Sequence, residues 1–266
     1  MKTIPIFLID AFTSEAFRGN PAGVVLLDEQ ADAIWMQQVA SEMNQAETAF
    51  IVPQDNKEFG LRWFTPTVEV ELCGHATLAS AHILWRLHKV AKDDPIVFNT
   101  LSGQLTCTRV ENKIQMNFPT KVVTPCKEPY GLLAALQLLE ANIFSNGMDY
   151  LVEVKDEATV RSMQPIYAAL AEVKCRGVIV TARSSTSGYD FISRFFAPAS
   201  GINEDSVTGS AHCALGPFWS QRLDKLSLVG YQASPRGGVV EVDTLSDRVN
   251  LRGNAVTFLK GELRGE

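Results

Sequence analysis

The sequence lacks an excess of basic residues, a long hydrophobic run and any close pair of cysteines. Its 266 residues include 24 Lys and Arg against 30 Asp and Glu, which gives a formal net charge of −6. Nucleic acid and anionic membranes attract clustered positive charge, so neither is expected as a partner. No segment approaches the roughly 20 apolar residues of a membrane-spanning helix. The N-terminal stretch MKTIPIFLIDAF has no small-residue cleavage site and is predicted to be a first strand rather than a signal peptide.

Cysteine and histidine are also sparse. The five cysteines are an odd number without a CxxC pair, which argues against a disulfide framework or a zinc site and favours a reducing cytoplasm. Among the histidines, His75, His82 and His88 have no i,i+4 spacing and no accompanying carboxylate motif, so no metal site is predicted. No GxGxxG follows a strand pattern and no Walker loop is present, so no nucleotide is expected as a cofactor.

The sequence does contain a weak internal repeat. RWFTP at Arg62–Pro66 corresponds to RFFAP at Arg194–Pro198, and each precedes a glycine and an Ala-rich helical segment. Further on, LSGQLTCTRV resembles ASPRGGVVEV. Three matched features in the same order predict two similar α+β halves of about 130 residues each. We place the halves at 1–118 and 119–266, with the last strand free to pack against the first half.

Between these features the pattern predicts short strands and few helices. β-branched or aromatic runs bounded by turn residues predict strands at TIPIFLIDAF, AGVVLL, TAFIVP and KIQMNF. Apolar spacing predicts two further helices, at QADAIWMQQVASEM and MQPIYAALAEV. The segment Arg18–Pro21, RGNP, is predicted to be a tight turn, whose glycine needs no function.

The two glycine-led helix starts, at Gly74 and Gly209, are candidate anion sites. First-turn N–H groups lack partners within the helix, and the helix dipole adds about half a positive charge there. Glycine lets a ligand approach the backbone, so two such starts facing each other could clamp a carboxylate. Many helices begin after glycine for packing reasons alone, and the repeat is what favours a functional interpretation.

Three residues near these helix starts could move protons. Glu47 lies in the apolar segment NQAETAFIV, where partial desolvation would make its carboxylate a stronger base, although a turn glutamate facing water is the alternative. Asp205, in NEDSVTG, could take part in proton transfer or cap the following helix. His75 should be neutral because the helix dipole disfavours the imidazolium ion, and a lone histidine could also be structural.

Cys73 stands directly before the first of these glycines. A thiol beside a helix N-terminus can ionise readily and act as a base or nucleophile. A two-base racemase needs a second such cysteine, but the matching position is Thr208, and Cys213 lies about one turn into the helix. A small buried residue is therefore the preferred interpretation of Cys73.

Four segments together resemble the PhzF-like (phenazine biosynthesis protein-like) family of the diaminopimelate epimerase fold. They are DAFTSEAFRGNPAGVVLL, NQAETAF, RWFTPTVEVELCGHATLASA and FFAPASGINEDSVTGSAH. The resemblance implies an α+β fold of two pseudo-symmetric domains, each a curled, mostly antiparallel sheet around a central helix, with the active site in the cleft between them. It also implies a cofactor-free isomerase that binds a small-molecule carboxylate and is often a homodimer.

By motif, the resemblance implies two sets of site residues. The catalytic set is Glu47, His75 and Asp205. The carboxylate-binding set is Gly74, Gly209 and Ser210, of which the last adds a hydroxyl. In the phenazine enzyme of this family, a glutamate removes a proton from a dihydro-hydroxyanthranilate ring and the proton returns elsewhere on the ring system.

Three positions depart from the family pattern. Ala46 stands where serine is common, and Ser206 stands where proline is common. Cys73 is matched by Thr208 rather than by a second cysteine, which argues against paired-cysteine epimerase or racemase chemistry and favours glutamate-based proton transfer.

The sequence therefore predicts an enzyme, a PhzF-like isomerase that moves a proton on a small carboxylate through Glu47. Two alternatives stay open. The first is a cysteine-dependent epimerase or racemase that uses Cys73, with Cys213 moved into place. The second is a non-catalytic member that binds a metabolite or a protein, against which the joint presence of Glu47, His75 and Asp205 weighs.

Overall fold

The computed structural model describes residues 3–264, which form eighteen strands and six α-helices. The strands are β1 (Thr3–Ala11), β2 (Asn20–Leu26), β3 (Glu47–Pro53), β4 (Phe59–Phe64), β5 (Glu69–Val70), β6 (Ile96–Thr100), β7 (Gly103–Val110), β8 (Lys113–Pro119), β9 (Thr124–Pro125), β10 (Asn142–Ser145), β11 (Asp149–Glu153), β12 (Gly177–Arg183), β13 (Phe191–Ala197), β14 (Ile202–Asp205), β15 (Ser227–Gln232), β16 (Gly238–Thr244), β17 (Arg248–Gly253) and β18 (Ala255–Arg264). The helices are α1 (Ala33–Met43), α2 (Gly74–Arg86), α3 (Leu132–Ala135), α4 (Glu157–Ser162), α5 (Tyr167–Ala171) and α6 (Gly209–Leu223). Within residues 3–264, no helix combines the length and apolar character that crossing a membrane requires.

The chain forms two compact units. The first comprises residues 3–117 and 252–264, and the second comprises residues 118–251. The predicted halves, 1–118 and 119–266, left the last strand free to pack against the first half. That strand, β18, lies in the first unit and pairs antiparallel with β1 from Thr3↔Arg264 to Ala11↔Ala255.

The sheet of the first unit has the strand order β18-β1-β2-β3-β4-β6-β7-β8. The pairs β2–β3 and β4–β6 are parallel, and the other neighbours are antiparallel. The short strand β5 adds to β4 in antiparallel register. The sheet is therefore mixed, with antiparallel pairs in the majority.

The second unit repeats this topology. Its order is β9-β10-β11-β12-β13-β15-β16, with parallel pairs at β11–β12 and β13–β15 and a short strand, β14, paired with β13. The same order of antiparallel and parallel neighbours runs from β18 through β1 to β7 in the first unit. The RWFTP and RFFAP motifs end the equivalent strands β4 and β13, and α2 and α6 follow them. The prediction of an α+β fold built from two similar halves is confirmed.

Each sheet curls around one long helix. In the first unit, α2 is buried from His75 to Ala81 and again from Ile83 to Trp85, and it packs against β1, β2, β3 and β18. Small and apolar residues on every side suit a helix to such a central position. Helix α1 covers the other face of the sheet, where Met36 and Ala40 pack with Val25 and Phe50.

The second unit also buries both faces of its sheet. Ile179 packs towards α6 with Phe218, whereas its neighbours Val178 and Val180 belong to the core formed with α3, α4 and α5. The apolar run of strand β12 is unbroken because its alternate side chains pack into two different cores. At Gly216 of α6, a Cβ would lie 2.6 Å from Val242 Cγ1, so glycine permits the close packing of helix on sheet.

The two further helices that the sequence predicts differ in outcome. The first is confirmed as α1, and Asp32 caps it by accepting from the N–H groups of Ile34 and Trp35. The second is shorter than predicted, since only α5, Tyr167–Ala171, forms within MQPIYAALAEV. Pro165 disfavours a helical conformation at Gln164, the residue before it, so the helix does not begin at the start of the predicted segment.

Candidate active site

The first candidate cluster lies where β3 and α2 begin. Glu47 is the first residue of β3 and pairs with Ala22 of the parallel strand β2. His75 is the second residue of α2, and its Nε2 lies 3.3 Å from Glu47 Oε2. The side chain of His75 is 6% exposed and that of Glu47 is 16% exposed. The structure thus brings two of the predicted catalytic residues into contact, in a largely buried setting.

Two further side chains approach the other nitrogen of the His75 ring. Asn20 Nδ2 lies 3.3 Å from Nδ1, and Cys73 Sγ lies 3.5 Å from it. An amide nitrogen can only donate, so Nδ1 accepts and the ring proton resides on Nε2, which faces Glu47. Burial lowers the pKa of His75 to about 3, so the ring is neutral at pH 7. The histidine is neutral as the sequence predicts, and burial is a cause that the sequence interpretation did not include.

His75 and Glu47 are close together, but their contact lacks the geometry of a good hydrogen bond. Within residues 3–264, the Nε2–H group makes no well-aligned hydrogen bond, although the carboxylate oxygen is 3.3 Å away. Catalytic hydrogen bonds are often long or bent in unliganded proteins and tighten when a substrate binds. The ring N–H can therefore donate to negative charge that develops on a substrate beside the carboxylate.

Asn20 is a site residue that the sequence interpretation missed. The prediction of a tight turn at Arg18–Pro21 is wrong for Asn20, which begins β2 and is 1% exposed. Gly19 does adopt a turn conformation, with φ of 64°. A buried amide needs hydrogen-bond partners, and His75 supplies one. Asn20 lies in the segment DAFTSEAFRGNPAGVVLL that carries the resemblance, which is the one signal in the sequence that could have identified it.

Cys73 is buried, as its preferred interpretation predicts. It is 6% exposed and is the N-cap residue of α2, just as Thr208 is the N-cap residue of α6. Cys213, the other candidate thiol, lies deeper in α6, with Sγ 3.7 Å from the carbonyl oxygen of Gly209. Burial raises the pKa of Cys213 to about 12, which leaves it protonated at neutral pH.

Glu47, Cys73 and His75 are also the one trio among residues 3–264 whose ligand atoms could hold a metal ion. One such atom from each lies within 4.8 Å of the others. The sulfur faces Nδ1 of the ring, however, and the carboxylate faces Nε2. A tetrahedral ion bound to one ring nitrogen could not use the other, so the cluster suits hydrogen bonding and proton transfer better than metal binding.

Asp205 belongs to a second cluster, in the second unit. It is the last residue of β14, and its Oδ2 accepts a hydrogen bond of 2.5 Å from Thr208 Oγ1. The buried side chain of Gln232 ties the turn together, because Nε2 donates to the Asp205 carbonyl at 2.8 Å and Oε1 accepts from the Thr208 N–H at 2.9 Å. The alternative that Asp205 is the N-cap residue of the helix is wrong, since Thr208 holds that position.

The predicted carboxylate-binding residues lie at the helix starts. Gly74 and Gly209 are the first residues of α2 and α6, where backbone N–H groups lack partners within the helix. Ser210 follows Gly209, and its Oγ accepts a hydrogen bond of 3.0 Å from Nη1 of Arg176. Arg176 in turn pairs with Asp149 through two hydrogen bonds. Neither residue lies in a matched motif, so the sequence contained no signal for either.

His212 anchors the start of α6. Its Nδ1 lies 2.8 Å from the carbonyl oxygen of Thr208. Thr77 makes the equivalent bond in α2, with Oγ1 donating to the Cys73 carbonyl at 2.5 Å. His212 is completely buried, and burial lowers its pKa to about 4. Its contacts indicate a structural role at the helix start.

The fold and the paired helix-start clusters define an α+β protein of the diaminopimelate epimerase-like class. Residues 9–261 match the family described as "Phenazine biosynthesis-like protein", and the chain belongs to that family. The chain is 48% identical to an uncharacterized isomerase of Halalkalibacterium halodurans over 99% of each chain. A phenazine biosynthesis protein of the PhzF family from Enterococcus faecalis has a crystal structure that matches with a TM-score of 0.94 at 39% identity, covering 99% of this chain and 100% of the other. A predicted epimerase of Pseudomonas aeruginosa shares the fold, with a TM-score of 0.73 at 20% identity and coverage of 98% and 99%.

Proposed function

We propose that this chain is an isomerase that relocates a proton on a small carboxylate substrate, with Glu47 as the general base. The observation that best supports the proposal is the 3.3 Å contact between the Glu47 carboxylate and the buried, neutral His75 at the start of α2. The isomerase name of the relative from Halalkalibacterium halodurans agrees with it.

The reaction begins with Glu47 ionised. The carboxylate takes a proton from a substrate carbon, and the electron pair left behind is delocalised into the adjoining unsaturated or carboxylate group. The Nε2–H of His75 donates a hydrogen bond to the charge that develops, a role for which a neutral ring is suited. Glu47 then returns the proton to a different carbon, so no oxidant or reductant is needed.

The second unit supplies binding and a further carboxylate. The N–H groups at Gly209 and the hydroxyl of Ser210 hold the substrate carboxylate, aided by the positive end of the α6 dipole. Gly74 provides the same backbone chemistry at the start of α2. Asp205, whose Oδ2 is bonded to Thr208, is the candidate for a second proton carrier that the family resemblance implies.

A cysteine-dependent epimerase is the second candidate function. One observation favours it, because Cys73 Sγ lies 3.5 Å from His75 Nδ1, which could accept a thiol proton. Two observations oppose it. The equivalent N-cap residue of α6 is Thr208, and burial keeps Cys213 protonated.

Solvent deuterium incorporation distinguishes these functions. A panel of small carboxylates that includes dihydro-hydroxyanthranilate is incubated in D₂O, and the label is read by mass spectrometry. We expect the wild-type protein to exchange at least one of the compounds. Glu47→Gln should slow exchange by about 10²- to 10⁴-fold, which is the usual contribution of a general base. Cys73→Ser is the matched control from the same cluster, and it should stay within about tenfold of wild type.

Thermal unfolding of each variant shows whether the fold is kept. Full exchange by a well-folded Glu47→Gln protein would rule out Glu47 as the base. Loss of exchange in Cys73→Ser with retention in Glu47→Gln would favour the cysteine-dependent epimerase. A wild-type protein that exchanges none of the compounds would favour a binding function.

A further inference from the structure

The hydroxyl of Ser210 is held by a guanidinium group. Arg176 Nη1 donates to Ser210 Oγ at 3.0 Å, and the same guanidinium group pairs with Asp149 through Nε and Nη2. The Asp149 carboxylate is 1% exposed, so it fixes the guanidinium from the buried side. Asp149, Arg176 and Ser210 therefore form a row of hydrogen-bonded side chains that runs in that order from the interior to the start of α6.

The topological repeat relates the position of Arg176 to that of Glu47 in the first unit. Glu47 opens β3, and Gly177, the residue after Arg176, opens the equivalent strand β12. His75 and Ser210 are the second residues of the equivalent helices α2 and α6. Arg176 therefore lies one position before the residue that matches Glu47, and its guanidinium reaches the start of α6, whereas the Glu47 carboxylate reaches the start of α2.

The direction of the hydrogen bond decides what Arg176 does. A guanidinium can only donate, so the Ser210 oxygen accepts from it and the Ser210 proton is directed to some other acceptor. The backbone of Arg176 is also fixed, since its N–H donates to the Met148 carbonyl at 2.8 Å and its carbonyl accepts from Ser200 Oγ at 3.0 Å. Asp149 offsets much of the positive charge, which makes orientation of the hydroxyl the main effect of Arg176.

We propose that Arg176 is a positioning residue, which holds the Ser210 hydroxyl with its proton directed at the carboxylate of the substrate. The inference rests on the proposed function, in which Ser210 binds that carboxylate. It extends that function by identifying how the hydroxyl is oriented and by assigning Asp149 as the anchor of the guanidinium.

Benzoate and its neutral isostere benzamide are suitable probes, with affinities measured by NMR titration of the backbone amide signals. We expect wild type to prefer benzoate. Arg176→Gln should weaken benzoate binding about 3- to 10-fold and leave benzamide binding nearly unchanged, as expected for loss of one oriented hydrogen bond. In a Ser210→Ala background, Arg176→Gln should cause no further loss, because the two residues act through one hydroxyl.

Two additional variants separate positioning from stability. Arg176→Gln leaves the buried Asp149 carboxylate without its partner, so Arg176→Gln combined with Asp149→Asn is measured beside it and should show the same loss of benzoate affinity. Arg222→Gln is the matched control, since Arg222 is similarly exposed, 31% against 33%, and pairs with Glu153 in the same unit. It should bind benzoate as wild type does.

Three outcomes would overturn the inference. The first is wild-type benzoate affinity in Arg176→Gln. The second is an equal further loss when Arg176→Gln is added to Ser210→Ala. The third is a wild-type protein with no preference for benzoate. Normal deuterium exchange by Glu47→Gln, together with the expected coupling of Arg176 and Ser210, would instead overturn the proposed base and leave the positioning role intact.

Discussion

His75 and His212 show that burial sets the protonation of the interior histidines in this chain. Burial lowers their pKa values to about 3 and about 4, respectively. In the unfolded chain both rings would titrate near the ordinary value of about 6.5. Between the folded and unfolded pKa values, the unfolded chain binds more protons than the folded chain. The free energy of unfolding must therefore fall as the pH is lowered through this range.

The substitution His212→Thr tests this linkage at a single residue. Threonine at the equivalent position of α2, Thr77, bonds to the carbonyl of the N-cap residue, so the variant retains a partner for the Thr208 carbonyl. Because one titrating group is removed, the slope of the free energy of unfolding against pH should become smaller. The decrease should be up to about 1.4 kcal/mol per pH unit between pH 6 and 4.5. Urea unfolding at a series of pH values measures the slope. The exposed His88→Gln variant is the control and should follow wild type, and a wild-type slope in His212→Thr would contradict the assignment.

At the scale of elements, the repeat includes an ion pair that anchors each short strand. Arg62 bonds to Glu69 of β5 through Nε and Nη2 at 2.6 and 2.8 Å, and Arg194 bonds to Glu204 of β14 through the same atoms at 2.7 and 2.8 Å. The second pair is more buried, with side chains 6% and 10% exposed against 27% and 25%. Glu204 directly precedes Asp205, so this pair also fixes the strand that presents the second candidate carboxylate.

The difference in burial predicts different costs for the same substitution. Glu204→Gln should destabilise the protein by about 3–5 kcal/mol, because the buried Arg194 charge loses its carboxylate and keeps only uncharged acceptors. Glu69→Gln should cost about 1 kcal/mol or less, because solvent can still reach Arg62. The midpoints of urea unfolding at pH 7 compare the two variants directly. Equal losses would show that the burial of the Arg194 pair has no bearing on stability.

At the scale of the whole molecule, the sequence predicted what depends on local pattern. Glycine and proline mark the starts of α2 and α6 and the ends of β4 and β13, and these marks recur in order in both units. The family resemblance implied that Glu47 and His75 share one catalytic set, but their direct contact was not predicted. The bonds of Asn20 to His75 and of Arg176 to Asp149 and Ser210 join residues that the sheet topology brings together, and no local pattern records such pairings.

The units differ in chain continuity, which leads to a prediction about fragments. The second unit is one stretch, 118–251, that contains two apolar cores of its own. The first unit needs two separate stretches, because β18 provides the antiparallel neighbour of β1 along the whole of that strand. Strand β1 without β18 would be an unpaired sheet edge that exposes its backbone N–H and C=O groups.

We therefore expect fragment 118–251 to unfold cooperatively by itself, with a single transition in urea seen by both circular dichroism and tryptophan fluorescence. Fragment 1–117 should lack such a transition and should gain one when a peptide of residues 252–266 is added, since the peptide restores the partner of β1. A scrambled peptide of the same composition is the control and should have no effect. Cooperative unfolding of fragment 1–117 alone would mean that the interior around α2 and α1 is sufficient, and that β18 extends the sheet of the first unit without being needed to form it.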